Sequence, residues 1–192
     1  MGHEFVPPDC DSPLDVAAYV EGIPQEAFIK GLFASAIVEA ARGRGVTLPG
    51  ARERYHAFTD VPMREYVPVL VAGAQAVHPT LPVRMALRKV GRASRDAFAQ
   101  TMFGRVVMGR VDGLRAALEA AAKVYPMAMP PARVELRKMT DTRAVLHMTG
   151  IYGFLDSHHV GVFEGVARAC EVRVTTRVRM ISPYTGEIEL TW

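Results

Sequence analysis

The feature that most constrains this chain is a change of period in its last third. From Arg133 to Lys138 and from Arg143 to Thr149 apolar residues recur at every second position, with Val134 and Leu136 together in the first run and Ala144, Leu146 and Met148 in the second. Thr140-Asp141-Thr142 supplies turn residues between them, so the two runs predict an antiparallel hairpin. A second pair follows. Val172, Val174, Thr176, Val178 and Met180 share a face, Pro183-Tyr184-Thr185-Gly186 turns the chain, and Ile188, Leu190 and Trp192 align on a last strand. Between the pairs, Tyr152 to Cys170 carries a helical pattern, with Val160, Phe163, Val166, Ala167 and Cys170 at helical spacing and Gly161, Gly165 and Ala169 as a small-residue stripe. Glycine inside a helix costs about 1 kcal/mol relative to alanine. Two of them predict a compensating close approach to another backbone, expected to be the sheet. Asp156 or Ser157 is expected to cap the first turn.

The chain before this region reads as helical. Ser12-Pro13-Leu14-Asp15 opens a short helix to Glu21, and a second is expected from Gln25 to Arg42 with Phe28, Ile29, Leu32, Phe33, Ala36, Ile37 and Ala40 on one face. Val46 to Asp60 reads as a connector with a turn of helix after Ala51. Thr59 or Asp60 is placed to cap a third helix, Pro62 to Val77, whose apolar face is Met63, Val67, Leu70, Val71 and Ala74 and which Pro68 should kink. His78-Pro79 closes it. A long pattern runs from Pro82 to Gly109, with Gly91 or Gly104 as break points, and Asp112 is placed to cap a helix from Gly113 to Val124 that Pro126 ends. These periods predict an α+β fold: a helical block of about five helices packed on a four-stranded antiparallel sheet in strand-strand-helix-strand-strand order. The expected organisation is one domain over 1–192, with an arm at 1–11, the helical block at 12–125 and the sheet with its crossover helix at 132–192.

Composition narrows the function classes. With 49% hydrophobic and 22% charged residues the chain is neither disordered nor fibrous. A net charge of +3 is too mild to mark a nucleic-acid binder. Arg133, Arg137, Arg173, Arg177 and Arg179 on the expected outer sheet face are interspersed with Glu135, Glu187 and Glu189, which predicts a solvated ion-pair surface. Cys10 and Cys170 lie far apart and read as unpaired thiols of a reducing compartment. No run reaches membrane-spanning length and Met1 to Cys10 lacks signal-peptide regions, so the expected location is cytoplasmic.

Chemistry-bearing residues are few. His158 and His159 are adjacent and lack the spacing of a metal site, so no metal ligand is expected. Asp156, Ser157 and His158 contain the residue types of a hydrolytic triad without a nucleophile-elbow context, so no catalytic residue is assigned, and a small hydrolase stays an alternative. The ligand-binding candidates are Asp156, His158 and His159 at the helix start, with Tyr125, Met127 and Met129 near the connector. The expected function is a non-enzymatic regulatory domain taking a small molecule or a protein partner between helices and sheet. A scaffold module, and self-association as a homodimer, remain open beside it.

Ile29-Lys30-Gly31-Leu32-Phe33, Val61-Pro62-Met63-Arg64-Glu65-Tyr66, Leu87-Arg88-Lys89-Val90-Gly91-Arg92, Leu155-Asp156-Ser157 and Val160-Gly161-Val162-Phe163-Glu164-Gly165 resemble a small paralogous family of unknown function expanded in myxobacteria. That resemblance carries over no activity, ligand or catalytic residue. In topology the chain also resembles the haem nitric-oxide-binding and 4-vinyl-reductase type of sensory domain, which implies a small ligand held between helices and sheet. The haem-binding members place a histidine on the helix before the sheet and a Tyr-x-Ser-x-Arg motif after it. Gly113 to Val124 has no histidine, and Tyr125 to Met129 lacks the serine and arginine, so the expectation from this resemblance is that haem is disfavoured.

Overall fold

A computed structural model describes residues 4–101, 104–105 and 112–192. Helix α1 spans Val16–Glu21, and Asp15 rather than Ser12 caps it, its carboxylate accepting from the Ala18 N–H at 3.0 Å. The second expected helix is split. Phe28–Lys30 forms strand β1, paired antiparallel with β2, Asp60–Pro62, and helix α2 begins only at Gly31 and runs to Arg42. The pairing brings Lys30 against Asp60 at 2.7 Å and lets Met63 donate to the Ala27 carbonyl. The 46–60 connector carries no helical turn after Ala51.

Helix α3 spans Met63–Val77, and Met63, Val67, Leu70, Val71 and Ala74 are buried on the face the spacing predicts; its N-terminus takes no side-chain cap. On α2 the most buried positions are Ala34, Ile37, Val38 and Ala41, one residue round from most of the expected face. Helix α4 spans Val83–Gln100 and passes through Gly91 unbroken; the rest of the expected pattern at 102–103 and 106–109 lies outside the described residues. Helix α5, Gly113–Ala128, continues past Val124 with Pro126 inside its last turn.

The sheet follows the alternation. Strands β3 (Arg133–Met139), β4 (Arg143–Thr149), β5 (Thr175–Ser182) and β6 (Thr185–Thr191) are antiparallel in the order β3-β4-β6-β5. Register aligns Leu136, Leu146, Ile188 and Val178 in one inner row and puts Met148 opposite both Val134 and Gly186. On the outer face β6 is covered by long side chains from its neighbours. Glu187 meets Arg137 at 3.0 Å and also Arg179, and Glu189 meets Arg143 at 2.6 Å, so both carboxylates are buried on a charged surface. The arm adds one rung at the β5 edge, where Val6 and Val178 exchange backbone hydrogen bonds.

Between β4 and β5 the chain departs from a single capped helix. Phe154 is left-handed at φ 61°, Leu155–His159 forms a π-helical turn, and only then does helix α6, Val160–Ala169, begin. Asp156 caps nothing, because its carboxylate is held by Arg84 at 2.5 Å. A left-handed non-glycine residue costs roughly 1–2 kcal/mol. Tyr19 offsets this by accepting from the Phe154 N–H at 3.2 Å, donating to the Ile151 carbonyl and packing its ring on Phe154 at 4.3 Å.

The glycine stripe meets α4, not the sheet. A methyl group on Gly161 would lie 2.0 Å from the Arg88 carbonyl, one on Gly165 2.5 Å from that of Arg92, and one on Gly91 2.0 Å from that of His158. Both helices thus contribute glycine where the other presents backbone. Arg88 and Arg92 flank Gly91, and both pair with Glu164, which also accepts from Thr176 on β5. Burial opposes ionisation of Glu164, but the two guanidinium hydrogen bonds prevail and hold its carboxyl below its ordinary range. No helix among the described residues is long and apolar enough to cross a membrane.

Gly161→Ala and Gly91→Ala should each destabilise the protein by about 1–3 kcal/mol, outweighing the helix-propensity gain. Gly43→Ala is the contrast, since its added methyl would meet only ordinary contacts at 3.5 Å. Urea unfolding of the three variants checks this, and a stabilised Gly161→Ala would refute the backbone contact.

Candidate functional site

The π-helical turn puts two successive histidines into the interior. His158 and His159 are 6% and 3% exposed, with rings perpendicular and 5.0 Å apart. His159 Nδ1 lies 2.8 Å from the Tyr125 hydroxyl. His158 Nδ1 and Nε2 and His159 Nε2 have no hydrogen-bond partner among the described residues. Burial lowers the His158 pKa to about 4, and burial with the neighbouring imidazole lowers that of His159 as well, so both rings are neutral near pH 7. Burial likewise pushes the Tyr125 hydroxyl up, keeping it protonated.

Neither tautomer of His159 satisfies the cluster. If Tyr125 donates to Nδ1, the Nε2–H lacks an acceptor; if Nδ1–H donates to the hydroxyl oxygen, the Tyr125 proton lacks one. A buried polar group without a partner costs about 1–3 kcal/mol. Such groups are rare in folded proteins and call for an explanation. His159 Nε2 and His158 Nδ1 turn toward Gly153, where a side-chain methyl would lie 3.0 Å and 3.9 Å away; His158 Nε2 is farther from Gly153.

Beside this cluster lies a carbon-walled cavity of about 100 Å³. Helix α5 supplies its hollow side through Ala117, Ala120, Ala121 and Ala128; Phe33, Tyr66 and Phe98 face them, and Val162 and Val166 of α6 close it next to the histidines. A second cavity of about 170 Å³ adjoins it, bounded by α2, α3 and α4 and sharing Phe33, Tyr66, Ser94 and Phe98 with the first. The Phe33 and Phe98 rings, parallel within 6° and 6.3 Å apart, stand in the shared wall. Leu32, Phe33, Ala36, Ile37 and Ala40, the face of α2 read from the spacing, line this second space.

Of the residues singled out in the sequence, the structure brings Tyr125, Met129, His158 and His159 to the first cavity. Met127 does not reach it: continuation of α5 past Pro126 turns Met127 outward, 56% exposed, and Met129 inward. Asp156 is also elsewhere, held by Arg84. Asp156, Ser157 and His158 form no proton relay, since Ser157 Oγ contacts Asp156 at 3.4 Å while neither His158 nitrogen has a partner among the described residues. The cavity takes no residue from the four-stranded sheet; the crossover helix lines it instead. The sequence reading passed over Ser94, Arg95, Tyr66 and the alanines of α5, although alanines at 117, 120, 121 and 128 mark a helix face too small to fill the space before it.

The chain belongs to the family described as Protein of unknown function (DUF2378), whose model matches residues 22–192. No curated protein matches it. Among solved structures it is similar to an H-NOX protein from S. oneidensis in the Fe(II)NO state, 12% identical over 85% of this chain and 100% of that one with a TM-score of 0.65. An oxygen-binding H-NOX domain related to soluble guanylate cyclases is 10% identical over 92% of each chain, TM-score 0.58. A structure concerned with modulating heme redox potential through porphyrin distortion is 12% identical over 84% of this chain and 97% of that one, TM-score 0.61. At these identities the likeness establishes the fold, that of haem nitric-oxide-binding domains. It also corrects the expectation that haem is disfavoured, because the chains sharing the fold are described as haem proteins. A missing motif on one helix is no ground for exclusion when buried imidazoles lie on another element, as His158 and His159 do here. Neutral buried imidazole is chemistry that would suit holding an iron centre.

The buried histidines set a pH dependence. Their pKa values are depressed in the folded state, so the unfolded chain binds more protons below pH 6.5. Their contribution is complete above pH 6.5 and is lost as pH falls toward about 4, where His158 titrates in the fold. His158→Gln should flatten the decline in stability between these limits by on the order of 3 kcal/mol. Denaturant midpoints measured from pH 7.5 to 4 check this, and an unchanged slope in the variant would refute the neutral buried imidazole.

Proposed function

We propose that the chain is a ligand-binding sensory domain without catalytic chemistry of its own, and that a small, mainly apolar ligand occupies the cavity beside His158 and His159. The observation supporting this reading is the meeting of a carbon-walled cavity with three buried ring nitrogens that have no partner among the described residues. Empty apolar space forfeits dispersion contacts, and unpaired nitrogens forfeit hydrogen bonds. One ligand that fills the space and engages a nitrogen recovers both. The cavity touches α2, α3, α4, α5 and α6, so occupancy bears on most of the helical block at once.

A second reading, favoured by the bare nitrogens and the shared fold, makes the resident group haem. His158 Nε2, the bare nitrogen farther from Gly153, would hold the iron, with His159 tethered behind it by Tyr125. When bound, the group supplies an iron centre whose affinity for small gases is tuned by the surrounding polarity. The two spaces, about 100 and 170 Å³, are together far smaller than a porphyrin, so this reading requires the helical block to part around the group.

Native mass spectrometry and an absorption spectrum of the purified full chain, before and after addition of haemin, separate the readings. An apolar ligand predicts a bound mass that is lost in Ala120→Leu, which fills the cavity. Haem predicts a Soret band that is lost in His158→Ala and kept in His147→Ala, a histidine on the outer sheet face. A bound mass retained in Ala120→Leu would overturn the placement of the ligand, and no binding of either kind would overturn the sensory reading.

A further inference from the structure

Among the described residues that line the first cavity, Arg95 is the one permanent cation and there is no carboxylate. The Arg95 side chain is 21% exposed, so it spans from the carbon-lined interior to the surface. Its Nε is buried without a hydrogen-bond partner among the described residues. Its one ion pair among the described residues is a marginal contact of 3.4 Å to Asp96, a half-exposed carboxylate that also takes Arg168 at 2.9 Å. Arg95 therefore lines the apolar space with its hydrocarbon stem and carries a lightly neutralised guanidinium toward the surface at the edge of that space.

We propose that the ligand is an amphipathic monocarboxylate, its carboxylate on Arg95 and its hydrocarbon part running through the first cavity and past the Phe33–Phe98 wall into the second. This rests on the sensory reading above and names its ligand class. A guanidinium fork matches a planar carboxylate, and the pairing strengthens where water is excluded. A monoanion balances one arginine, while a phosphate monoester, at roughly −1.5 to −2 near neutral pH, would bring charge that no other lining residue offsets. The tail length follows from volume. A cavity of about 150 Å³ takes benzene, so the two spaces, about 100 and 170 Å³, hold on the order of ten carbons when joined and about half that when the wall stays shut.

The test is calorimetric titration of the full chain with butanoate, hexanoate, octanoate and decanoate and with the alcohols of the same lengths. Affinity should rise to octanoate or decanoate, and the acid should exceed its alcohol by roughly tenfold or more, the value of one charge-assisted hydrogen bond. Arg95→Gln should remove the preference for acid while alcohol binding persists, and Arg95→Lys, which keeps the charge, should retain part of it. Equal affinity of acid and alcohol in the wild type would overturn the carboxylate while leaving the sensory reading in place. A plateau at butanoate would overturn the path through both spaces. Binding of neither series would overturn the proposal, and the mass and haemin measurements above would then decide separately whether the sensory reading survives.

Discussion

Helices α4 and α6 touch through their backbones, and the rest of the structure is arranged around that contact. Gly91 receives the His158 carbonyl, Gly161 the Arg88 carbonyl and Gly165 that of Arg92, so the interface has no side chains at its closest points. Close packing alone would not fix the rotation of one helix on the other. Glu164 does so, because its carboxylate is clamped by Arg88 and Arg92 on α4 and by Thr176 on β5. An ion pair that is mostly buried is a poor source of net stability, yet breaking one partner leaves an uncompensated charge, which makes the arrangement selective for one registry. The same contact explains where the histidines lie. The His158 carbonyl lies against Gly91, and the π-helical turn that carries it is held from outside by Arg84 on Asp156 and Tyr19 on Phe154.

The polar interior and the cavity are consequences of one another. Alanines on α5 leave a hollow opposite Phe33, Tyr66 and Phe98, and a hollow lined by carbon offers no hydrogen-bond partner to the imidazoles at its edge. On the sheet the buried carboxylates are answered, although Arg143 Nε and His147 Nδ1 there also lack a hydrogen-bond partner among the described residues. Glu187 has Arg137 and Arg179, Glu189 has Arg143, and Tyr184 donates to the Tyr19 carbonyl at 2.6 Å. Four of the six buried nitrogens without a partner among the described residues, on Arg95, His158 and His159, belong to residues that line the first cavity. That clustering beside a void marks the site.

Much of this was legible in the sequence and some was not, for definable reasons. The hairpins were, because one face of the sheet is buried and period-two alternation follows directly; Leu136, Leu146, Ile188 and Val178 share the row their spacing implies. The glycines of α6 announced a close approach but not its partner, since spacing records that space is scarce and not what occupies it. Strand β1 was hidden because Phe28 and Ile29 continue the helical spacing of α2, and only the distant Asp60–Pro62 segment makes them a strand. The π-helical turn depends on backbone hydrogen-bond register, which side-chain pattern does not encode. Met127 and Met129 were read alike because Pro126 suggested an end to α5, while the helix in fact runs two residues farther and sends them to opposite sides.

The distribution of rigid and yielding surfaces around the cavity bears on how occupancy would be felt. On one side α4 and α6 abut at carbonyl-to-glycine distance, and methyl-sized displacements there meet backbone, so the two helices shift together or not at all. On the other side α5 presents alanines, whose small side chains leave clearance, and the stacked Phe33–Phe98 pair lines both spaces. A ligand larger than the present hollow therefore has one compliant direction, toward α5 and the aromatic wall. Tyr125 lies on that compliant side and is hydrogen-bonded to His159 on the rigid one, its ring stacked on Phe163 of α6 at 5.8 Å. Because α5 leads directly into β3, displacement of its C-terminal turn is carried to the edge of the sheet. The Tyr125–His159 hydrogen bond thus ties α5, the helix that leads into β3, to the turn that carries the histidines.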